Sequence, residues 1–282
     1  MSGALARRAR RRCANGLFVA FCGLSAALAL TALAAILVSL LVNGLGGLDL
    51  QVFTRSTPPP GGQGGLANAL VGSLMLCALA MAAAVVVGVL AGTWLAEYAG
   101  EGAYGQVVRF MNDVLLSAPS ILIGLFVYEV AVAPAGGFSG YAGALALALI
   151  AAPVVTRTTE DVLKLQSRAL RESGVALGAP MWTTVRSILW KAAAGGILTG
   201  ALLAFARVSG ETAPLLFTAL NNQYFSLDMT EPMANLPVVI FNFALSAYDD
   251  WRSLAWAGAL LIAVAVLGIN ILVRVLAREP RR

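Results

Sequence analysis

The chain has 282 residues, 59% of them hydrophobic and 12% charged, with 19 Lys and Arg against 14 Asp and Glu for a net charge of +5. Soluble domains carry about 25% charged residues, and a water-soluble fold of this length has no interior large enough for so much apolar surface, which must face lipid or other membrane helices. The absence of His excludes histidine acid–base and histidine–metal chemistry, and the basic residues lie beside apolar segments, which is a topology signal and not a nucleic-acid footprint.

A hydrocarbon core of about 30 Å asks for roughly 20 helical residues. The first segment that qualifies is 17–42, preceded by Arg7, Arg8, Arg10, Arg11 and Arg12. Its apolar part is longer than the core of a signal peptide and no small-residue cleavage site follows, so a retained membrane anchor is expected. Residues 43–65, with Pro58-Pro59-Pro60 and Gly61-Gly62-Gln63-Gly64-Gly65, read as an irregular external connection. Further spans are expected at 66–95, 110–133 and 141–155, the last extended at one end by Phe138, Ser139 and Gly140. A polar stretch at 159–193 precedes spans expected at 195–220 and 254–276. The apolar run 236–247 is too short to cross and contains Pro237, with Pro232 just before it, so it reads as interfacial or re-entrant. The expectation is an all-α polytopic protein with six transmembrane helices. Residues 1–65 form a basic arm, first span and external loop; residues 66–282 form the transmembrane domain, with its large polar loop at 157–194. Cys13, Cys22 and Cys77 have no metal-ligand spacing and read as small packing residues.

The arginines give an orientation. Arg157, Lys164, Arg168, Arg171, Arg186 and Lys191 lie between the fourth and fifth segments, and Arg274, Arg278, Arg281 and Arg282 at the carboxyl end. The opposite side holds only Arg55 and Arg252 beside Asp49, Asp228, Glu231, Asp249 and Asp250. The positive-inside rule then puts both termini and the 157–191 loop in the cytoplasm, and an even number of spans agrees.

Arg207 and Glu211 fall within the expected fifth span, four residues apart, which places them on one helical face. An isolated arginine at mid-membrane costs about 2.5–3.5 kcal/mol on insertion scales. The pair either fixes helix packing or serves a transport path, and intramembrane charges are functional candidates by default. Ser209, Thr212 and Thr218 are candidates to line the path or bond within the bundle. Arg157, after Pro153 and Thr156 at the inner end of the fourth span, reads equally as an exit contact or a topology-setting charge. Asn112 and Asp113 read as structural residues at the start of span three, and Glu129 as an interfacial one. Gly195, Gly196 and Gly200 read as sites of close helix packing.

The polar loop is interrupted at Gly178-Ala179-Pro180, where Gly suits a helix C-terminus and Pro prevents continuation. Helix, sharp turn and helix are expected, with Met181, Trp182 and Val185 offering apolar contacts near a projecting tip. The sequence here resembles the cytoplasmic motif E-A-A-x3-G-x9-I-x-L-P of ABC importer permeases, whose short coupling helix enters a cleft of the ATPase. The matching residues are Glu172, Gly178 and Ile188; Ser173, Gly174, Trp190 and Lys191 depart from the usual pattern.

The likeness narrows further. Arg157-Thr158-Thr159-Glu160-Asp161, Leu170-Arg171-Glu172, the string AFARVSGETAPLLFTA at 204–219, PMANLPVVIFNF at 232–243, and Tyr248-Asp249-Asp250-Trp251 are similar to PstA-type permease subunits of the phosphate ABC importer. The resemblance implies a type I ABC importer permease in the bacterial inner membrane, moving phosphate from periplasm to cytoplasm. It implies as partners a second related permease subunit, two ATPase copies and a periplasmic phosphate-binding protein. Coupling would run through Glu172, Gly178, Ala179, Pro180, Met181, Trp182 and Ile188, and the substrate path through Arg207, Glu211, Arg157, Ser209 and Thr212. Guanidinium suits a tetrahedral oxyanion because it presents a planar fork of donors. The chain has no G-x4-G-K-[ST] loop, so ATP and Mg are expected on the partner ATPase, with no cofactor and no catalysis in this chain. The alternatives are a permease for sulfate or molybdate, and an ion-coupled secondary transporter.

Overall fold

The computed structural model describes residues 2–276, with side chains for residues 10–271. Arg278, Arg281 and Arg282 lie outside the described residues, and so do the side chains of Arg7, Arg8 and Arg274. Thirteen α-helical pieces follow in order: α1 (Ser2–Gly46), α2 (Leu50–Thr54), α3 (Ala67–Glu97), α4 (Ala103–Ser117), α5 (Ser120–Val127), α6 (Ala133–Ala135), α7 (Gly140–Lys164), α8 (Arg168–Ala176), α9 (Met181–Thr184), α10 (Trp190–Val208), α11 (Ala213–Leu216), α12 (Leu236–Ala244) and α13 (Asp249–Leu276). Single π-helical turns join α5 to α6 (Tyr128–Val132) and α9 to α10 (Val185–Leu189). Among the described residues, five continuous helices are long and apolar enough to cross a membrane, and the bent pair α4–α6 supplies a sixth.

The arm and first span form one helix. Residues 10–39 of α1 are exposed throughout, and its carboxyl-terminal end rests on α13, where a Cβ on Gly44 would stand 2.7 Å from that of Leu260. The centre of the bundle is the pair α3 and α7. Gly88 faces Val155, and a Cβ on Gly92 would lie 2.5 Å from the Thr156 carbonyl oxygen. The missing side chains let the two backbones touch, the means by which membrane helices gain dispersion contacts that lipid cannot supply. Leu76, Ala80, Ala84, Leu147, Ile150, Ala151 and Val155 are buried around this seam.

Four boundaries differ from the sequence expectation, each for a local reason. The third span is not straight: α4 and α5 meet at 105°. Pro119 holds Ala118 extended (φ −65°, ψ 135°), the conformation favoured before proline. Because α4 begins at Ala103, Asp113 sits well inside a helix and not at its start. α7 starts at Gly140, where the Ser139 hydroxyl accepts from the Ala142 N–H at 3.2 Å, and continues to Lys164 with Pro153 inside it, well past 155. The fifth membrane helix starts at Met181, within the polar loop, and ends at Val208 instead of 220. Pro214, which lacks an N–H and cannot continue the ladder to the Gly210 carbonyl, instead sits in the first turn of the short helix α11.

Residues 217–235 are irregular, and their backbone groups need partners other than a helical ladder. Asparagine amides take over. Asn68 donates to the Asn222 carbonyl (2.9 Å) and accepts from the Thr57 N–H (3.1 Å). Asn222 donates to the Pro232 carbonyl at 3.1 Å and Asn235 to the Leu220 carbonyl at 3.2 Å. The latter bond, with the Leu220 N–H on the Leu215 carbonyl at 2.8 Å, holds Leu220 at φ 56°. The short run after this segment is helical: α12 is capped by Asn235, whose side chain accepts from the Val238 N–H at 3.1 Å, and it packs on α13 and α3.

Filling the α3–α7 seam tests this arrangement. Gly92→Leu is expected to lower the melting temperature of the detergent-purified protein, since overpacking costs about 1–3 kcal/mol. Gly268→Ala, where a Cβ meets nothing within 4 Å, is expected to leave it unchanged or slightly raised.

Candidate functional site: the basic end and a mid-membrane arginine

The densest chemistry lies at the basic end of the bundle. Glu160 on α7 is 1% exposed, and its carboxylate accepts from Arg109 Nε and Lys164 Nζ, both at 2.6 Å. Arg109 also donates to the carbonyls of Leu95 (2.8 Å) and Gly100 (3.1 Å), which α3 and the following turn leave open. One buried carboxylate thus ties together α3, α4 and α7. A second node joins α8 to α3. Arg171 grips Glu97 through two parallel bonds, Nε to Oε2 at 2.9 Å and Nη2 to Oε1 at 2.8 Å, and donates to the carbonyls of Leu163 and Gln166, each at 2.7 Å. Its hydrogen bonds to Glu97 raise the Arg171 pKa above the ordinary value, so it stays charged. Trp190 donates its indole N–H to Thr93 at 3.0 Å.

Neither Glu97 nor Arg109 was among the residues the sequence pointed to. Each is a lone charge at the rim of an apolar run, and their partners lie 74 and 51 residues away. No helical spacing connects them.

The polar loop is a helical hairpin whose turn lies where the glycine and proline put it. Gly178 has φ +72°, its N–H reaches the Val175 carbonyl at 2.9 Å, and Ala179 reaches that of Gly174 at 3.2 Å, which closes α8 in the manner glycine permits. Pro180 then starts α9. Glu172, Leu177 (85% exposed) and Trp182 (62%) point outward, and Met181 and Ile188 are half-buried. Val185 is a correction: it is 4% exposed, packed with Leu163, Leu189 and Ala193, and belongs to the hairpin's inner face. Gly174, where the resembled motif has alanine, presses on Thr184, and a Cβ there would lie 2.5 Å from Thr184 Cγ2.

The intramembrane pair is also corrected. Arg207 lies in the last turn of α10, whereas Glu211 lies beyond the helix end. Among the described residues Arg207 forms no ion pair, and its side chain is exposed. Its depth follows from packing. Gly196 faces Val162 and Gly200 faces Thr158, so α10 runs antiparallel to α7. Seven residues further along each helix, Arg207 is level with Ala151, about 18 Å from the outer end of α7 at Ser139. Ser209 is half-buried and donates to the Ala206 carbonyl at 3.1 Å. Thr212 is half-buried. Thr218 is buried and donates to the Pro214 carbonyl at 2.8 Å, which removes it from any lining role. Arg157 faces Asp113 at 3.7 Å and Asp161 at 3.3 Å, all three roughly half exposed. A cavity of ≈ 320 Å³ between α3, α10 and α13 is lined mainly by apolar side chains such as Met81, Phe205 and Ile262; Ser73 and Ser209 are its hydroxyl-bearing residues, and no charged residue lines it. Of the glycines expected at helix contacts, Gly196 and Gly200 make them and Gly195 faces open space.

With this geometry in view, comparison with known proteins is informative. Residues 88–282 match the family model described as the binding-protein-dependent transport system inner membrane component. The chain is 53% identical over 242 residues to the phosphate transport system permease protein PstA of Yersinia pestis, covering 86% of this chain and 82% of that one. It is 50% identical over 264 residues to the protein of the same name from Haemophilus influenzae, covering 94% of each. Among solved structures, the MetNI methionine ABC transporter superposes with a TM-score of 0.63 at 18% identity, covering 74% of this chain and 93% of that one. That likeness speaks to the fold: an ABC importer permease architecture.

The Glu160 node carries a stability prediction. Breaking a buried ion pair costs about 3–5 kcal/mol. Arg109 keeps two carbonyl partners, so Glu160→Gln is expected to destabilise by about 2 kcal/mol, read as a lower melting temperature. Lys164→Ala removes a half-exposed partner and is expected to cost less than about 1 kcal/mol.

Proposed function

The chain belongs to the inner-membrane components of binding-protein-dependent transport systems, and among them to the PstA phosphate permeases; from that premise we propose how this molecule carries phosphate. It is a membrane-spanning permease subunit of an ATP-driven importer and translocates inorganic phosphate from periplasm to cytoplasm. Both termini and the hairpin of α8 and α9 face the cytoplasm, as the arginine distribution requires. The chain itself catalyses nothing. Two copies of a partner ATPase bind ATP and Mg, a second related permease subunit completes the path, and a periplasmic phosphate-binding protein delivers the cargo.

The observation that carries this reading is the combination of an exposed apolar hairpin tip with a mid-membrane arginine free of carboxylate partners among the described residues. Glu172, Gly178, Ala179, Pro180, Met181, Trp182 and Ile188 form the docking element: the turn is rigid, and Trp182 and Leu177 offer the apolar anchor such interfaces use. A secondary carrier has no use for such an element. Arg207, at the depth of Ala151, supplies the guanidinium that phosphate meets in the path shared with the second subunit. The early end of α10 leaves half-buried Ser209 and the Gly210–Thr212 turn outside the helix beside it, and irregular backbone at membrane depth is tolerated where it lines a cavity. Glu211, released from helical pairing with Arg207, is free to oppose the anion and prevent it from lodging. Arg157, held between Asp113 and Asp161, is the inner exit contact: its charge is partly neutralised, so phosphate passes without being trapped.

Arg207→Gln is expected to abolish ATP-dependent uptake of labelled phosphate by proteoliposomes containing the whole transporter, while the ATPase still copurifies. Uptake at the wild-type rate in that variant would remove Arg207 from the path.

A further inference from the structure

The hairpin that faces outward at its tip is fastened inward at both legs, and both fasteners fall on one helix. The first leg, α8, is held by the two-bond contact of Arg171 with Glu97. The second leg is held where Trp190 donates to Thr93. Thr93 and Glu97 are four residues apart, so they lie one above the other on the same face of the last turn of α3. Both side chains are nearly inaccessible: Thr93 is 5% exposed as a residue, and the Glu97 side chain 2%. Between the legs, Gly174 against Thr184 and the buried cluster of Leu163, Val185, Leu189 and Ala193 make the hairpin one packed body.

The other end of α3 is fastened as well. Ser73 accepts from the Leu236 N–H at 2.7 Å, and Asn68 holds the Asn222 and Gln223 carbonyls at 2.9 and 3.3 Å. Asn222 and Gln223 belong to the irregular segment 217–235, and Leu236 opens α12 directly after it. Between Asn68 and Glu97, α3 has no proline and no helix break, a rod of about 43 Å. Packed elements of this kind shift as units and do not deform continuously.

We propose that α3 is the push-rod of the transporter: it takes up displacement of the docking hairpin through Glu97–Arg171 and Thr93–Trp190, and delivers it to the outer segment through Asn68 and Ser73. Glu97, Arg171 and Trp190 are then positioning residues. They touch neither phosphate nor nucleotide, yet they set how much of each ATP-driven movement reaches the far end. The inference rests on the importer reading above.

The test uses the assembled transporter in proteoliposomes, with phosphate uptake and ATP hydrolysis measured on the same preparation. Glu97→Gln is expected to keep the ATPase bound and hydrolysing, while phosphate moved per ATP falls about tenfold, within the 5–150-fold range of ordinary coupling energies. Trp190→Phe, which keeps the ring and loses the donor, is expected to lower the ratio less. The double exchange Glu97→Arg with Arg171→Glu re-forms the ion pair with its charges reversed but loses the donors to the Leu163 and Gln166 carbonyls, so it is expected to recover part of the ratio. An unchanged ratio in Glu97→Gln overturns the proposal. So does a proportional fall in hydrolysis and uptake, loss of assembly, or a double exchange no better than the single change. Wild-type uptake that is absent or indifferent to ATP would overturn the importer reading instead, a result distinct from any of these.

Discussion

The fold depends on the close approach of α3 and α7. In lipid no hydrophobic drive gathers helices together, so association must come from packing and polar contacts. Gly88 and Gly92 provide the packing by leaving room for Val155 and Thr156. The two helices bring Glu97 and Glu160 to the same end of the bundle, where each buried carboxylate meets its arginine. The order of causes is clear from burial: the carboxylates would be prohibitive without partners, and the partners are in reach only because the backbones touch one to two turns away.

A second constraint shapes the opposite half. A membrane protein that interrupts a helix must satisfy every backbone group the interruption frees. Ending α10 at Val208 leaves Ser209 and the following turn outside the helix and obliges the next stretch to find other hydrogen bonds. Asn222 and Asn235 supply them from within the segment and Asn68 from α3. Side-chain amides suit this task because each offers both donor and acceptor to a backbone that no longer pairs with itself. The irregular segment is consequently tied to α3 and within itself by side-chain hydrogen bonds.

Much of the fold was legible. Apolar runs of span length gave six crossings, and Gly178-Ala179-Pro180 gave the hairpin turn, because hydrophobicity and φ preference are local properties. The boundaries that moved were those set by a single residue within an apolar context. Pro119 and Pro214 look unremarkable inside runs such as SAPSILIG and ETAPLLFTA, yet one bends a span and the other opens a separate short helix after the fifth span has ended. The candidate site was legible in part. Arg207 declared itself as a charge among apolar residues, and Trp182 as an aromatic beside a rigid turn. Glu211 was misplaced because four-residue spacing pairs side chains only where a helix persists. Glu97 and Arg109 stayed hidden because their meaning lies in contacts 74 and 51 residues distant.

Leu177 and Trp182 stand 85% and 62% exposed at the hairpin tip, on the side that the arginine distribution assigns to the aqueous cytoplasm. Apolar side chains displayed in this way on a rigid turn have a cost while they wait for a partner, since uncovered patches promote aggregation and attract proteases. A copy of this chain with its hairpin tip uncovered displays that patch to water, and a copy with the tip covered does not, so the feature that makes docking favourable is also a liability until docking occurs.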